Sequence, residues 1–311
     1  MRTVLAAASL LVSATPAFAH EIGFGNGFAD ELWSTDPWLL IPLYAAAILF
    51  LVGTWRLWRR AGSGRAIRYW QAACFWTGWS VIAIALVSPL HWFAERMLTA
   101  HMVEHEFLMV AAAPLLVLSR PLTAFLWALP IGARRWLGTL ATAPPIAALW
   151  IALTNASVAT LIHVATIFAW HTPSLFEAAT SNPLLHKLQH ATFLVTALLF
   201  WWAILNLPKR QLGVGAAHLF ATMMAMSLLG ALLTLTPRLW YPSYSAPLLG
   251  FTPLEDQQLA GLVMWIPGCA VYAIAALVFL AVWIAASGRY ELQPAKIYEL
   301  QPAKIKVLPT G

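Results

Sequence analysis

Apolar residues in this chain neither alternate nor recur on one helix face. They come in long unbroken stretches separated by short polar or Pro/Gly-bearing connections. Seven stretches, at about 38–58, 69–90, 98–118, 145–170, 186–206, 214–236 and 259–286, are each long enough as helix to cross the hydrocarbon core of a bilayer. A backbone in lipid has to satisfy its own hydrogen bonds, so each is predicted to be helical. The expected fold is an all-α polytopic membrane bundle of about seven transmembrane helices. The opening stretch "MRTVLAAASLLVSATPAFA" is shorter, with one arginine and A-F-A before His20, and reads as a secretory signal peptide over 1–19 cleaved after Ala19. Residues 20–37 then form a polar lead-in, 38–286 the membrane domain and 287–311 a tail in which YELQPAKI occurs twice.

Composition agrees: 61% of the 311 residues are hydrophobic and 10% charged, against roughly 25% charged in an average soluble domain. Tryptophan, present 17 times, suits a chain with many membrane–water interfaces. The net charge of +6 is a topology signal rather than a sign of nucleic-acid binding. Arg56, Arg59, Arg60, Arg65, Arg68, Arg120, Arg134, Arg135, Lys209, Arg210 and the tail's Arg289, Lys296, Lys304 and Lys306 fall on one side of the expected spans, and only Arg96, Lys187 and Arg238 on the other. The positive-inside rule then puts the N-terminus outside and the C-terminus in the cytoplasm, in a bacterial inner membrane with a periplasm. Cys74 and Cys269 are far apart and embedded in apolar runs, which makes them packing residues rather than a disulfide or zinc ribbon.

The histidines carry the chemistry. On this topology His20, His91, His101, His105, His171, His186 and His190 lie at or near the outer side, His163 about two turns inside, and His218 towards the cytoplasm. Residues four apart share a helix face, so "HMVEH" and "HKLQH" each present two imidazoles to one point. Two such pairs at matched depth predict a metal site of His101, His105, His186 and His190, with His171 as a further ligand. His91, His163, His20 (as a free amine plus imidazole after cleavage), Met97 and Met102 are additional candidates. Glu104 is placed to orient an imidazole, and nearby thioethers tilt the metal towards copper. The spelling H-x-x-E-H also belongs to a class of zinc protease, but that reading leaves "HKLQH" without a role and provides no cleft for a peptide.

"HMVEHEFLMVAAAPLLVLSRPL" at 101–122 and "HTPSLFEAATSNPLLHKLQHATFLVTALLFWW" at 171–202 resemble the polytopic CtaG family of cytochrome c oxidase assembly factors, a multi-span group distinct from the single-span copper chaperone of the same name. The resemblance covers about 38–286. It implies a membrane protein that matures a haem–copper oxidase by delivering or stabilising copper, with oxidase subunits or other copper chaperones as partners; no nucleophile–base pair, phosphate loop or nucleotide motif stands out in the sequence, so no enzymatic turnover is expected. It carries over His101, His105, His171, His186 and His190 as motif positions, with Glu104 and Glu177 as neighbours. Two other classes fit a histidine-rich bundle: a bis-histidine haem or electron-transfer protein, and a copper or proton transporter.

Overall fold

The computed structural model describes residues 32–245 and 249–291, with side chains to Ser287; the expected signal peptide, His20 and residues 292–311 of the duplicated tail lie outside this range. Every regular element described is helical. α1 (Pro37–Ala61) and α2 (Tyr69–Val87) form an antiparallel pair, and a short α3 (Pro89–Ala94) leads into α4 (Leu98–Ser119). Next come α5 (Pro121–Ala128), α6 (Ile131–Thr142), α7 (Pro144–Leu153), α8 (Ala156–Trp170) and α9 (Pro173–Ser181). The chain continues through α10 (Pro183–Leu205), α11 (Leu212–Leu235) and α12, whose apolar run is Pro253–Ser287. Proline occupies the first turn of α1, α3, α5, α7, α9, α10 and α12, where a missing N–H costs nothing.

Among the described residues six helices are long and apolar enough to cross a membrane: α1, α2, α4, α10, α11 and α12. The expected single span at 145–170 is corrected. Its helix stops at Leu153, and Asn155 starts a new one by accepting from the backbone N–H of Ser157 and Val158. Asparagine next to threonine competes with the helical ladder and favours a cap. α7 instead folds against α6 at 70°, at Ala143–Pro144, where proline disfavours helix in the residue before it. The 15-residue apolar α8, about 22 Å long, follows. Near its start the Thr160 hydroxyl lies 3.1 Å from His218 Nδ1, and it ends at Trp170 with His171 as its C-cap.

α4 and α12 each carry a π-helical insert, Phe107–Ala112 and Met264–Gly268. Proline explains both. Pro267 lies within the second insert; Pro114, just past the first, can donate neither to Val110, its α partner, nor to Met109, its π partner. The freed Met109 carbonyl accepts the indole N–H of Trp201, on α10, at 3.0 Å. This bond sits within the main core, where Met102, Met109, Phe193, Phe200, Trp201 and Tyr272 are fully buried. α11 and α12 meet at Gly230 and Gly261, where a Cβ on Gly261 would lie 2.7 Å from the Gly230 carbonyl oxygen, so only glycine admits that approach. The basic loops gather at one end of the bundle, where Arg56 donates to the carbonyl of Ala128 at 2.6 Å and so closes the C-terminus of α5. The clustered histidines gather at the other end.

Candidate metal centre

The centre is built on the first turns of α4 and α10. α4 has no local side-chain cap; its exposed N–H groups are taken by Asp256 from the start of α12, whose carboxylate accepts from Leu98 N at 2.7 Å, Thr99 N at 3.0 Å and the Thr99 hydroxyl at 2.6 Å. α10 is capped by Asn182 Oδ1, which accepts from Leu184 N and Leu185 N. The i,i+4 spacing then acts as expected. The His101 and His105 rings are 4.3 Å apart, those of His186 and His190 4.5 Å apart, and the pairs face each other with His101 5.3 Å from His186 and His105 5.1 Å from His190.

One ligand atom each from His101, Glu104, His186 and His190 falls within 4.8 Å of all the others. His101 Nε2, Glu104 Oε2, His186 Nε2 and His190 Nε2 are buried and have no hydrogen-bond partner. His190 Nε2 and Glu104 Oε2 are 3.6 Å apart. Leaving four such atoms unpaired is costly, and a shared cation would satisfy all of them. These residues fit a metal on the chemistry of their donors alone.

The surroundings fix how the donors present themselves. Tyr244 donates its hydroxyl to the Ala94 carbonyl at 3.0 Å, so it can only accept from His101 Nδ1, at 3.2 Å. That holds the proton on Nδ1 and leaves the Nε2 lone pair facing the group. Burial, with the Glu104 charge behind it, pushes the Tyr244 hydroxyl well above the usual tyrosine range and keeps it a neutral donor. His91 Nδ1 binds the other Glu104 oxygen at 2.8 Å. Burial opposes protonation of His91, yet the Glu104 hydrogen bond and charge hold it above the ordinary histidine range. His101 and Glu104 are walled in, whereas His91, His186 and His190 line a cavity of about 1360 Å³ between the α1–α2 pair and α10.

The remaining candidates are distributed as follows. His105 packs on Phe193 and has both ring nitrogens buried without partners. His171 binds the Ile167 carbonyl through Nδ1 and touches Met102 Sδ through Nε2. Met97 is buried at the N-cap of α4. His163 lies apart, with Nδ1 on Thr196 and Nε2 on Tyr272, the arrangement of a satisfied core histidine. Glu104 brings a carboxylate oxygen into the group formed with His101, His186 and His190. Glu177 touches no imidazole; it accepts from the Ser243 N–H and hydroxyl, anchoring the Pro242–Tyr244 turn that carries Tyr244. Tyr244 and Asp256 escaped the sequence reading because neither has a spacing relation to the histidine pairs.

Residues 48–286 match the profile of the family described as cytochrome c oxidase caa3 assembly factor, Caa3_CtaG. The chain belongs to this family. The matched segment holds both histidine pairs, Glu104, Tyr244 and Asp256. The chain is also similar to uncharacterized proteins of Mycobacterium bovis and Mycobacterium tuberculosis, each 28% identical over 252 residues, covering 75% of this chain and 36% of theirs. A Mycobacterium leprae uncharacterized protein is 26% identical over 281 residues, covering 84% of this chain and 41% of its own. The chain thus spans well under half the length of these curated relatives. No solved structure matches.

Proposed function

We propose that this caa3-assembly-factor family member handles copper for a haem–copper cytochrome c oxidase, holding the ion as cargo on His101, Glu104, His186 and His190 and passing it to oxidase subunits or another copper chaperone. The observation that carries the reading is that His101, Glu104, His186 and His190, from two helices, bring one ligand atom each within 4.8 Å of one another, and that each has a buried side-chain atom with no hydrogen-bond partner. Three imidazoles and a carboxylate suit copper, zinc or iron alike; copper is preferred here because cytochrome c oxidase, which proteins of this family assemble, is a haem–copper enzyme. The distribution of basic residues supports a histidine end facing the periplasm and a basic end in the cytoplasm of a bacterial inner membrane. A bis-histidine haem is less well supported, because Phe176, Phe193 and Tyr244 pack against the His101 and His105 rings where a macrocycle would need a slot.

The test is metal content and visible spectrum of detergent-purified protein beside a variant lacking His101, His105, His186 and His190. Copper present in the first and absent from a folded second supports the reading; a Soret band would replace it with the haem protein. In the host, deletion under copper limitation is expected to lower assembled oxidase activity, with the His101→Ala/His105→Ala double variant failing to restore it and His218→Ala restoring it.

A further inference from the structure

The histidines at this end do not form one set. His105 and His171 stand outside the group of four, and their surroundings differ in chemical character. His171 Nδ1 lies 2.7 Å from the Ile167 carbonyl oxygen, an atom that only accepts, so Nδ1 carries the proton and Nε2 is a bare lone pair. That lone pair points at Met102 Sδ, 3.4 Å away, and a thioether has no proton to give. Two lone-pair donors therefore face each other in the core, where His171 is 2% exposed and Met102 fully buried. The His105 ring stands 5.9 Å from that of His171 and crosses it at 82°; His105 is 1% exposed, and both its nitrogens lack a hydrogen-bond partner.

We infer that His105, His171 and Met102 form a second, soft metal site, selective for a monovalent copper ion and adjoining the group of four. The inference rests on the copper reading above and adds a separate site to it. A metal about 2.0 Å from nitrogen and about 2.3 Å from sulfur, with near-tetrahedral angles, separates those two atoms by about 3.5 Å, close to the 3.4 Å observed. Two imidazoles and a thioether with no carboxylate form a neutral, soft donor set that suits Cu(I) and offers little to a hard or divalent ion in so apolar a place. The first group has Glu104 and borders the cavity; the second lies deeper, enclosed by Phe176 and Phe193. His105 stands between the two groups, 4.3 Å from His101 and 5.1 Å from His190 by ring centroids, so an ion crosses from one site to the other within a single side chain's reach.

The test uses the full chain in detergent, anaerobically, titrated with Cu(I) against a coloured Cu(I) chelator, with X-ray absorption at the copper edge. Two ions are expected in the wild type, with a copper–sulfur scatterer at about 2.3 Å. Met102→Leu, close in volume and apolar, is expected to lose the sulfur scatterer and one ion while keeping the other. Glu104→Gln is expected to weaken the first site and leave the sulfur signal intact. Bound copper with no sulfur scatterer in the wild type, or an unchanged spectrum in Met102→Leu, would overturn the second site and leave the first standing. Binding no copper at all would remove the copper reading itself.

Discussion

At the scale of single residues, the clustered donors depend on groups outside their own set. Tyr244 sets the His101 tautomer by donating to the Ala94 carbonyl and accepting from Nδ1. Tyr244→Phe is therefore expected to cost about 1–3 kcal/mol by stranding the buried Ala94 carbonyl, and to weaken metal binding by about 10- to 100-fold, the usual effect of losing a hydrogen bond behind a ligand; thermal unfolding and competition titration with a chelator read the two effects. Asp36 acts at the rim. It caps α1 through Trp38 N and pairs with Lys187 on α10, and the Lys187 hydrogen bond holds its carboxyl below the usual range. Because the folded value is the depressed one, the pair contributes above the unfolded value of about 3.9, and the contribution disappears as pH falls through the folded value. With Lys187 half exposed, it is worth under about 1 kcal/mol. Wild type and Lys187→Met should differ slightly in thermal stability at pH 7, less in high salt, and converge below about pH 4.

At the scale of elements, two devices stand out because each serves a helix from a distant part of the chain. Asp256 caps α4 across 158 residues of sequence. Asp256→Ala is expected to cost about 0.5–2 kcal/mol, as for other lost caps, and to lower metal affinity along with stability, while Asp256→Asn recovers part of both. Thermal unfolding in detergent, run alongside the metal titration, measures both. Trp201 serves the carbonyl that the π insert frees at Met109. Trp201→Phe keeps most of the buried ring but strands that oxygen, with an expected loss of about 1–3 kcal/mol seen in the same unfolding measurement. The elements also show where sequence was legible. Continuous apolar length marked six spans to within a few residues, because length alone decides a crossing. It misread 145–170, where the apolar run is just as continuous but Thr154 and Asn155 terminate the helix locally.

At the scale of the whole molecule, the i,i+4 histidine pairs were readable because the helix period places their rings before any tertiary contact forms. Glu104 as a member of the ligand group, Tyr244 as its tautomer lock, and the partnering of His163 by Thr196 and Tyr272 were not readable, since each depends on packing between helices remote in sequence. The same remoteness governs how the centre comes into being. All six clustered histidines, from His91 to His190, precede α12, while the carboxylate that closes the first turn of α4 belongs to α12. A nascent chain emerging in order thus displays every imidazole well before it can hold α4 in register. The group is finished only when the last span has inserted, so on the reading proposed above a captured ion would mark a completed chain, which an arrested or truncated one cannot display.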